Sequence, residues 1–328
     1  MRKKIFDTNS FTKCAQGHID KLTEEGRFSA KEVFKYAIQS FAKFSGTNEI
    51  SFSQVTKESL KQYEQSLKDR GYSLNTISTY LRMIRAVYNL GVDRGLAPYI
   101  PRLFRDVFTG VETKQKKALP CKDLQVLLNT PVESEKQKKT QAMAKLMFLF
   151  CGMPFVDLAH LQNKNIDSGI LRYNRCKTGT LMTVEILNAA QESFDILRNK
   201  NEADDMSYLF SILSGQKHGE AEYEEYRQAR RKFNDQLRAL AKVVGISSPI
   251  SSYSIRHSYA TSLKYNKVPI EMISELLGHK SIKTTQIYLK GFSLDERTRI
   301  NQENYLHVIE NPTGINNSSF VNSSFTYL

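Results

Sequence analysis

The sequence is poor in the residues and segments that mark several large classes of protein. It has no tryptophan, and its four cysteines are widely separated, at Cys14, Cys121, Cys151 and Cys176. With no C-x-x-C pair and no histidine cluster, neither a disulfide framework nor a zinc site is predicted. No apolar run approaches the ~20 residues that span a bilayer, and the opening MRKK is followed by polar residues, not by a signal-peptide core. We therefore expect a cytoplasmic protein with no membrane segment.

Acidic residues are the minority among the charged side chains. The chain has 47 Lys and Arg against 34 Asp and Glu, a formal net charge of +13 at pH 7. Most of the excess lies in residues 1–117, which hold 21 basic and 12 acidic side chains, whereas residues 118–328 hold 26 and 22. This distribution predicts a polyanionic partner, whose phosphates are gripped mainly by the amino-terminal third.

The chain of 328 residues is long enough for two domains. Apolar residues recur at helical spacing in four amino-terminal segments, separated by stretches rich in Gly, Ser and Asn. The segments are Phe11–Leu22, Ala30–Phe44, Thr56–Asp69 and Ser73–Arg94. We predict a helical domain over residues 1–109, a basic linker over 110–119, a second domain over 120–308, and a disordered tail rich in Asn and Ser over 309–328.

The fourth predicted helix has two contrasting faces. Its apolar stripe contains Ile77, Leu81, Ile84 and Tyr88, and another face carries Ser78, Arg82, Arg85 and Asn89. A basic, amide-bearing face opposite a buried stripe suits the major groove of DNA. The alternative is an ordinary solvated outer face.

The second domain is predicted to be helical with one small β-hairpin. A helix over Gln141–Phe150 ends at a Gly-Met-Pro break, and strands over Ile170–Tyr173 and Leu181–Ile186 enclose a Gly-containing turn. Lys177 would project from that turn. It is either a solvated charge or, on a mobile hairpin, a proton donor to a leaving oxygen.

A tyrosine and a histidine near the carboxyl end predict a phosphate site. Pro269–Leu277 has helical spacing, Gly278 is suited to end that helix, and Ser281 can cap a second helix. Tyr288 would then lie roughly two turns into that helix, beside His279. Taken separately, such a tyrosine is usually core or surface, and such a histidine is usually a cap.

A third segment, upstream, adds a candidate anion site. Ser251 or Ser252 can cap a helix that places Tyr253 and Arg256 in its first turns, where unpaired amides favour an anion. An arginine fork matches phosphate oxygens. Together with His279 and Tyr288, Arg256 predicts a tyrosine nucleophile aimed at a phosphate.

Three segments in this order carry a family resemblance: RHSYAT from Arg256, LLGHKS from Leu276 and TTQIY from Thr284. They resemble the catalytic box of the tyrosine recombinases, also called phage integrases, and the likeness extends over about residues 8–305. It implies a core-binding (SAM-like) helical domain followed by an α+β catalytic domain. GMPFVD and YSIRH resemble a subgroup in gut Bacteroidetes that includes DNA invertases and mobile-element integrases.

The resemblance implies a role for each site residue. Tyr288 would attack the scissile phosphate and form a 3′-phosphotyrosyl link, while Arg256 and His279 bind the non-bridging oxygens. Lys177 would protonate the leaving 5′-oxygen. Tyr253 stands where many members have histidine. Bond energy is retained, so no metal, ATP or other cofactor is implied.

The implied partners are double-stranded DNA with specific recombination sites and further copies of the chain, which together form a tetrameric synapse. In that synapse the charged helix Asp295–Tyr305 would dock onto a neighbouring copy. Accessory DNA-bending proteins are a further class of partner, and the resemblance leaves their use open. It also leaves open whether the outcome is inversion, integration or excision.

One position departs from the family pattern. The first catalytic arginine is expected at position 154 or 151, where this chain has Pro154 and Cys151. Either another cation fills the gap, or the protein is a catalytically weakened DNA-binding relative that modulates recombination sites. The replacement candidates are Arg175, Arg172 and Lys145, and Asp157 would orient neighbouring donors. A type IB topoisomerase is a third interpretation.

Overall fold

The computed structural model describes residues 10–112, 118–199, 204–289 and 294–305. The described chain is mainly helical and has one small sheet, so the predicted fold class is confirmed. The predicted tail and the centre of the predicted linker, residues 113–117, lie outside the described residues.

The amino-terminal part is the predicted bundle of four helices. Its aromatic core includes Phe11, which meets Phe41 and Phe52 edge to face at ring distances of 6.2 and 5.4 Å. Gly46 ends the second helix at φ 67°, a left-handed conformation that glycine adopts at little cost. The four helices are α1 (Ser10–Glu24), α2 (Phe28–Ser45), α3 (Lys57–Asp69) and α4 (Leu74–Asp93).

Nine helices follow in the described remainder of the chain. The first five are α5 (Cys121–Asn129), α6 (Glu135–Leu149), α7 (Phe155–Ala159), α8 (Gln191–Leu197) and α9 (Glu220–Val243). The last four are α10 (Ser252–Tyr265), α11 (Ile270–Leu276), α12 (Ile282–Tyr288) and α13 (Leu294–Tyr305). The long helix α9 was not predicted, although its buried residues Tyr226, Phe233, Leu237 and Leu240 follow helical spacing.

The sheet contains the predicted hairpin and one further strand. Strand β2 (Ile170–Asn174) pairs antiparallel with β3 (Leu181–Glu185), and the unpredicted two-residue strand β1 (Ile166–Asp167) pairs with β2. Gly179 turns the hairpin at φ 66°, and its amide donates to the Arg175 carbonyl at 2.8 Å. Alternate residues of β2 and β3 face the core, which fixes the register.

The buried apolar residues form two large clusters. One is built from residues between Phe11 and Val107, and the other from residues between Leu119 and Ile255. A small third cluster, Ala260, Ile273 and Leu277, joins α10 to α11. The clusters agree with a two-domain organisation, whereas the predicted domain boundaries stay a prediction.

The two parts touch through α2 and α9. Lys31 forms an ion pair with Glu220 at 2.6 Å, and Arg227 forms one with Glu32 at 3.4 Å. Beside these pairs the ring of Phe28 lies 5.7 Å from that of Tyr223. The chain beyond the linker is fixed to α10, because the amide of Leu119 donates to the Ser258 hydroxyl at 2.8 Å.

None of the described helices combines the length and apolar character needed to cross a membrane.

Candidate active site

Arg256 is fixed at the centre of the candidate site by α10. Ser251 caps this helix, as predicted, and exchanges hydrogen bonds with Ser254 in a capping box. The Arg256 side chain is only 3% exposed. It donates from Nη1 to the Gly152 carbonyl at 2.8 Å and from Nη2 to the Leu277 carbonyl at 2.5 Å. The guanidinium is therefore locked in one orientation by backbone oxygens.

His279 lies directly against Arg256. Its Nε2 atom is 3.2 Å from Arg256 Nη2, and its Nδ1 atom is 2.9 Å from the Thr285 hydroxyl. A guanidinium nitrogen can only donate, so Nε2 accepts in this arrangement and Nδ1 carries the ring proton. Thr285 lies on α12 and is completely buried. Its contact with His279 therefore joins α12 to the site.

Arg175 is the second buried arginine of the site, at 7% exposure. Its Nε atom forms an ion pair with Asp157 at 3.3 Å, and its Nη1 atom donates to the carbonyls of Leu277 and Gly278 at 2.9 and 3.1 Å. The other oxygen of Asp157 accepts from the amide of Cys176 at 2.9 Å. Asp157 thus orients neighbouring donors, as predicted, and ties the hairpin to α7.

The approach of Arg175 to the turn after α11 requires a glycine there. Gly278 has φ +62°, and a Cβ atom at this position would lie 2.5 Å from Met182 Sδ and 2.7 Å from Arg175 Cδ. Both distances are shorter than van der Waals contact allows. The predicted helix-ending role of Gly278 is confirmed, and its missing side chain also makes room for Arg175.

Lys177, Tyr253, Arg175 and Arg256 line one open cleft of about 440 Å³. Lys177 is exposed at the hairpin turn, and Tyr253 is 50% exposed in the first turn of α10. The structure therefore brings together residues that are widely separated in the sequence. Arg230 of α9 lines the same cleft, and the sequence interpretation did not include it.

The position of the missing arginine is also at this cleft. Pro154 lines it and caps α7, while Cys151 takes the left-handed conformation at φ 55°. Pro154 has no ionisable group, and burial raises the pKa of the Cys151 thiol. Neither residue therefore supplies the positive charge of the missing arginine.

The three replacement candidates occupy different places. Arg175 lines the cleft, whereas Arg172 pairs with Asp167 at 3.3 Å on the exposed hairpin surface. Lys145 faces Glu192 at 3.9 Å. Neither Arg172 nor Lys145 lines the cleft, and Arg175 is the candidate that the fold places beside Arg256.

Tyr288 is the last residue of α12, two turns from its start as predicted. The placement of its side chain lies outside the described structure, so its position relative to His279 stays a prediction. Ser281 is the N-cap residue of α12, but its hydroxyl forms no capping hydrogen bond.

The predicted DNA-binding face of α4 is only partly at the surface. Arg85 and Asn89 are exposed and line a cavity of about 390 Å³ with Arg102 and Arg105. Arg82 is half-buried. Ser78 requires a correction: it is 1% exposed, and its hydroxyl donates to the Gly110 carbonyl at 2.6 Å. It holds the start of the linker and presents no group to DNA.

Two family profiles match the chain. The Phage integrase family matches residues 117–293, and the Phage integrase SAM-like domain matches residues 10–102. Among curated relatives, Tyrosine recombinase XerD of Halalkalibacterium halodurans is 26% identical over 247 residues, which cover 73% of this chain and 78% of that protein. Tyrosine recombinase XerC of Roseiflexus castenholzii is 26% identical over 282 residues, covering 81% and 85%.

Solved structures share the fold. A Tn1549 transposon integrase in complex with a circular intermediate DNA superposes with a TM-score of 0.59 at 13% identity, covering 89% of this chain and 99% of that one. A lambda integrase dimer bound to a COC' core site gives 0.58 at 14% identity, covering 84% and 76%. The first profile alone matches more than half of the sequence. The chain therefore belongs to the phage integrase family of tyrosine recombinases.

Proposed function

We propose that this protein is a site-specific recombinase that cuts and rejoins double-stranded DNA through a 3′-phosphotyrosyl intermediate. One observation carries the proposal: Arg175, Arg256 and His279 converge on the turn Leu277–Gly278, directly before the helix that ends in Tyr288. Two preorganised cations beside an imidazole are suited to a phosphate on which charge builds.

In the proposed cleavage step, the phenolic oxygen of Tyr288 attacks the scissile phosphorus and loses its proton. The bond between phosphorus and the 5′-oxygen breaks, and Lys177 donates a proton to that oxygen. In the second step, the 5′-hydroxyl of a partner strand attacks the phosphotyrosine and releases Tyr288. One phosphodiester is broken and one is formed, so the reaction needs neither ATP nor a metal.

Arg175 would hold the phosphate through a donor group that its protein partners leave open. Arg175 uses Nε and Nη1 for Asp157 and two carbonyls, and its Nη2 group remains for a non-bridging oxygen. His279 would face another such oxygen with Nε2, which requires a proton on that atom when DNA is bound. Tyr253, exposed at the cleft, would add a hydroxyl donor. In this proposal Arg175 takes the place of the arginine missing at Pro154.

A nicked suicide substrate carrying the cognate site tests this function. Release of a short 5′-hydroxyl strand traps the covalent protein–DNA adduct, which is resolved on a denaturing gel. We expect an adduct with the wild type and none with Tyr288→Phe, in buffer with EDTA and without nucleotide. Tyr265→Phe, which changes a 45% exposed tyrosine at the end of α10, is the matched control. An adduct from Tyr288→Phe, or none from the wild type, would reject the proposal.

The second candidate function is a DNA-binding relative with weakened catalysis, favoured by Pro154 at the cleft and by Cys151 three residues earlier. It predicts specific DNA binding without an adduct in the same assay. A type IB topoisomerase would instead relax supercoiled DNA that lacks a specific site.

The proposed partners are double-stranded recombination sites and three further copies of the chain in a synaptic tetramer. Arg85 and Asn89 of α4, with the half-buried Arg82, are the proposed contacts of the amino-terminal domain with DNA. A chain truncated after residue 292, which lacks α13, should bind DNA but form fewer tetramers. The outcome, whether inversion, integration or excision, and the use of DNA-bending proteins are tested by recombination assays with the cognate site. Action in the cytoplasm is part of the same proposal and is tested by cell fractionation.

A further inference from the structure

The cleft contains a third arginine besides the two buried ones. Arg230 lies on α9, a helix that contributes none of the residues used in the proposed mechanism, and its side chain is exposed. Arg175 and Arg256 are 7% and 3% exposed and donate to backbone carbonyls. Among the described residues, no carboxylate is within ion-pair distance of Arg230. One donor of its guanidinium meets the Tyr226 hydroxyl, and its other donors are available to a ligand in the cleft.

The position of Arg230 is fixed by an aromatic stack. Its guanidinium carbon lies 5.6 Å from the ring centre of Tyr226, one turn earlier on the same face of α9. Tyr226 stacks on Phe155, with ring centres 6.3 Å apart, and Phe155 stacks on Phe233 at 4.7 Å with an angle of 9° between the planes. The ring of Tyr226, itself packed against Phe155, thus positions Arg230 before any DNA arrives.

This stack connects Arg230 to the place where the family arginine is absent. Phe155 directly follows Pro154, and both residues line the cleft with Arg230 and Tyr226. The cation carried by α9 and the position that lacks the family arginine therefore face the same cleft. Arg175 approaches from the hairpin, and two of its donor groups are bound to protein atoms. It therefore leaves part of the phosphate charge unmatched.

We propose that Arg230 is a catalytic residue that contacts a non-bridging oxygen of the scissile phosphate. It acts from α9 together with Arg175 and Arg256. This inference rests on the proposed recombinase function and deepens it, because it assigns a role to a helix outside the catalytic box. A planar guanidinium on an aromatic face keeps its fork oriented toward a phosphate, which a lysine at the same position does less well.

The test compares Arg230→Ala, Arg230→Lys and Arg231→Ala on the suicide substrate under single-turnover conditions. Arg231 is the matched control, because it is exposed on the same helix and does not line the cleft. We expect Arg230→Ala to slow adduct formation roughly 100-fold, as removal of one oxyanion donor does in other enzymes. Arg230→Lys should retain part of the rate, and Arg231→Ala should stay within about threefold of wild type.

A second substrate, with an uncharged methylphosphonate at the scissile position, identifies the phosphate concerned. If Arg230 neutralises that phosphate, its loss should matter little once the negative charge is removed. On the methylphosphonate substrate, the rate of adduct formation by Arg230→Ala should then lie within about threefold of the wild-type rate. Equal rates for Arg230→Ala and Arg231→Ala would overturn the inference. A defect that is unchanged on the methylphosphonate, or limited to DNA affinity, would also overturn it.

Failure of this inference is distinct from failure of the proposed function. An adduct from wild type with normal cleavage by Arg230→Ala rejects only the role of Arg230. No adduct from wild type rejects the recombinase function, and the role of Arg230 with it.

Discussion

Arg175 and Arg256 donate hydrogen bonds to the same acceptor, the backbone carbonyl oxygen of Leu277, at 2.9 and 2.5 Å. One arginine follows strand β2, and the other lies on α10. Two buried cations are held side by side although like charges repel, because backbone oxygens and the Asp157 carboxylate compensate them. A bound phosphate would add further compensation. The turn after α11 is therefore the point through which the hairpin, α10 and α12 are aligned.

Loss of the Asp157 carboxylate should destabilise the fold. Asp157 is 2% exposed and is the ion-pair partner of Arg175, so Asp157→Ala leaves a buried cation without its counter-ion. We expect a loss of about 3–5 kcal/mol in the free energy of unfolding. Asp157→Asn keeps an acceptor and should lose less. Urea denaturation measures both, and an Asp157→Ala protein within about 1 kcal/mol of wild type would contradict the stated role of the pair.

A methyl group at Gly278 should displace Arg175. Gly278→Ala incurs the backbone cost of a left-handed residue, about 1–2 kcal/mol, and also a clash with Met182 and Arg175. Gly245→Ala is the control, since Gly245 has φ +79° with nothing within 4 Å of an added Cβ. Both variants should lose stability in denaturation, but only Gly278→Ala should also slow adduct formation. Equal adduct rates for the two variants would show that the position of Arg175 does not matter for cleavage.

A better leaving group should rescue the loss of Lys177. Lys177→Ala should slow cleavage by about 10²–10⁴-fold, the usual contribution of a general acid. A substrate with sulfur in place of the bridging 5′-oxygen releases a thiolate, which needs no proton donor because thiol pKa values are near 8.5. The variant should therefore cleave this substrate at nearly the wild-type rate. Lys217→Ala, which removes an exposed lysine outside the cleft, should cleave both substrates normally. Persistence of the Lys177→Ala defect with sulfur would argue against proton donation.

The ion pair of Lys31 with Glu220, one of two between α2 and α9, should contribute to the contact between the two parts of the chain. Lys31 is 14% exposed and lies 2.6 Å from Glu220, which is 57% exposed. Lys31→Glu should weaken this contact by repulsion, and adding Glu220→Lys should restore it. A double-mutant cycle on urea unfolding should give a coupling of about 0.2–1 kcal/mol, as for other exposed pairs. A coupling indistinguishable from zero would mean that the pair adds nothing to the interface.

Cys176 should be unreactive at neutral pH despite its place between Arg175 and Lys177. Burial, the Asp157 charge and a hydrogen bond to that carboxylate raise the pKa of this thiol from 9.0 to about 12. The reactive thiolate is therefore scarce below about pH 11. Cys121 and Cys176 are both exposed residues, so the raised pKa should decide their order: iodoacetamide at pH 8 should label Cys121 first, and Asp157→Asn should speed the labelling of Cys176. Peptide mass spectrometry follows both sites, and equal labelling in the wild type would contradict the raised pKa.

The same shift has a consequence for stability. With its pKa raised, the thiol of Cys176 should keep in the folded protein the proton that the unfolded chain releases near pH 9. The contribution of this thiol to stability is complete below that pH and is lost as the pH rises toward about 12.

Local patterns in the sequence predicted much of the fold. The four helices of the amino-terminal bundle and the hairpin follow from apolar periodicity and from turn residues. The helix that ends before Gly278 follows in the same way. The stripe that contains Ile77, Leu81 and Ile84 is buried as predicted, because a 3.6-residue repeat fixes one face of a helix. Ser78 was misassigned because it adjoins that stripe, and a contact with Gly110, 32 residues away, buries it.

The sequence by itself determined the residue types of the site and their order along the chain, since the boxes around Arg256, His279 and Tyr288 are short and contiguous. Only the tertiary structure distinguished Arg175 from the other two candidate cations. The hydrogen bond that places Arg175 in the site joins it to Leu277, which lies 102 residues away in the sequence. The tertiary structure also brought Arg230 to the cleft through the stacking of Phe155 on α9. Helix ends and turns depend on neighbours in sequence, whereas the convergence of charges depends on packing between distant segments, which no local pattern encodes.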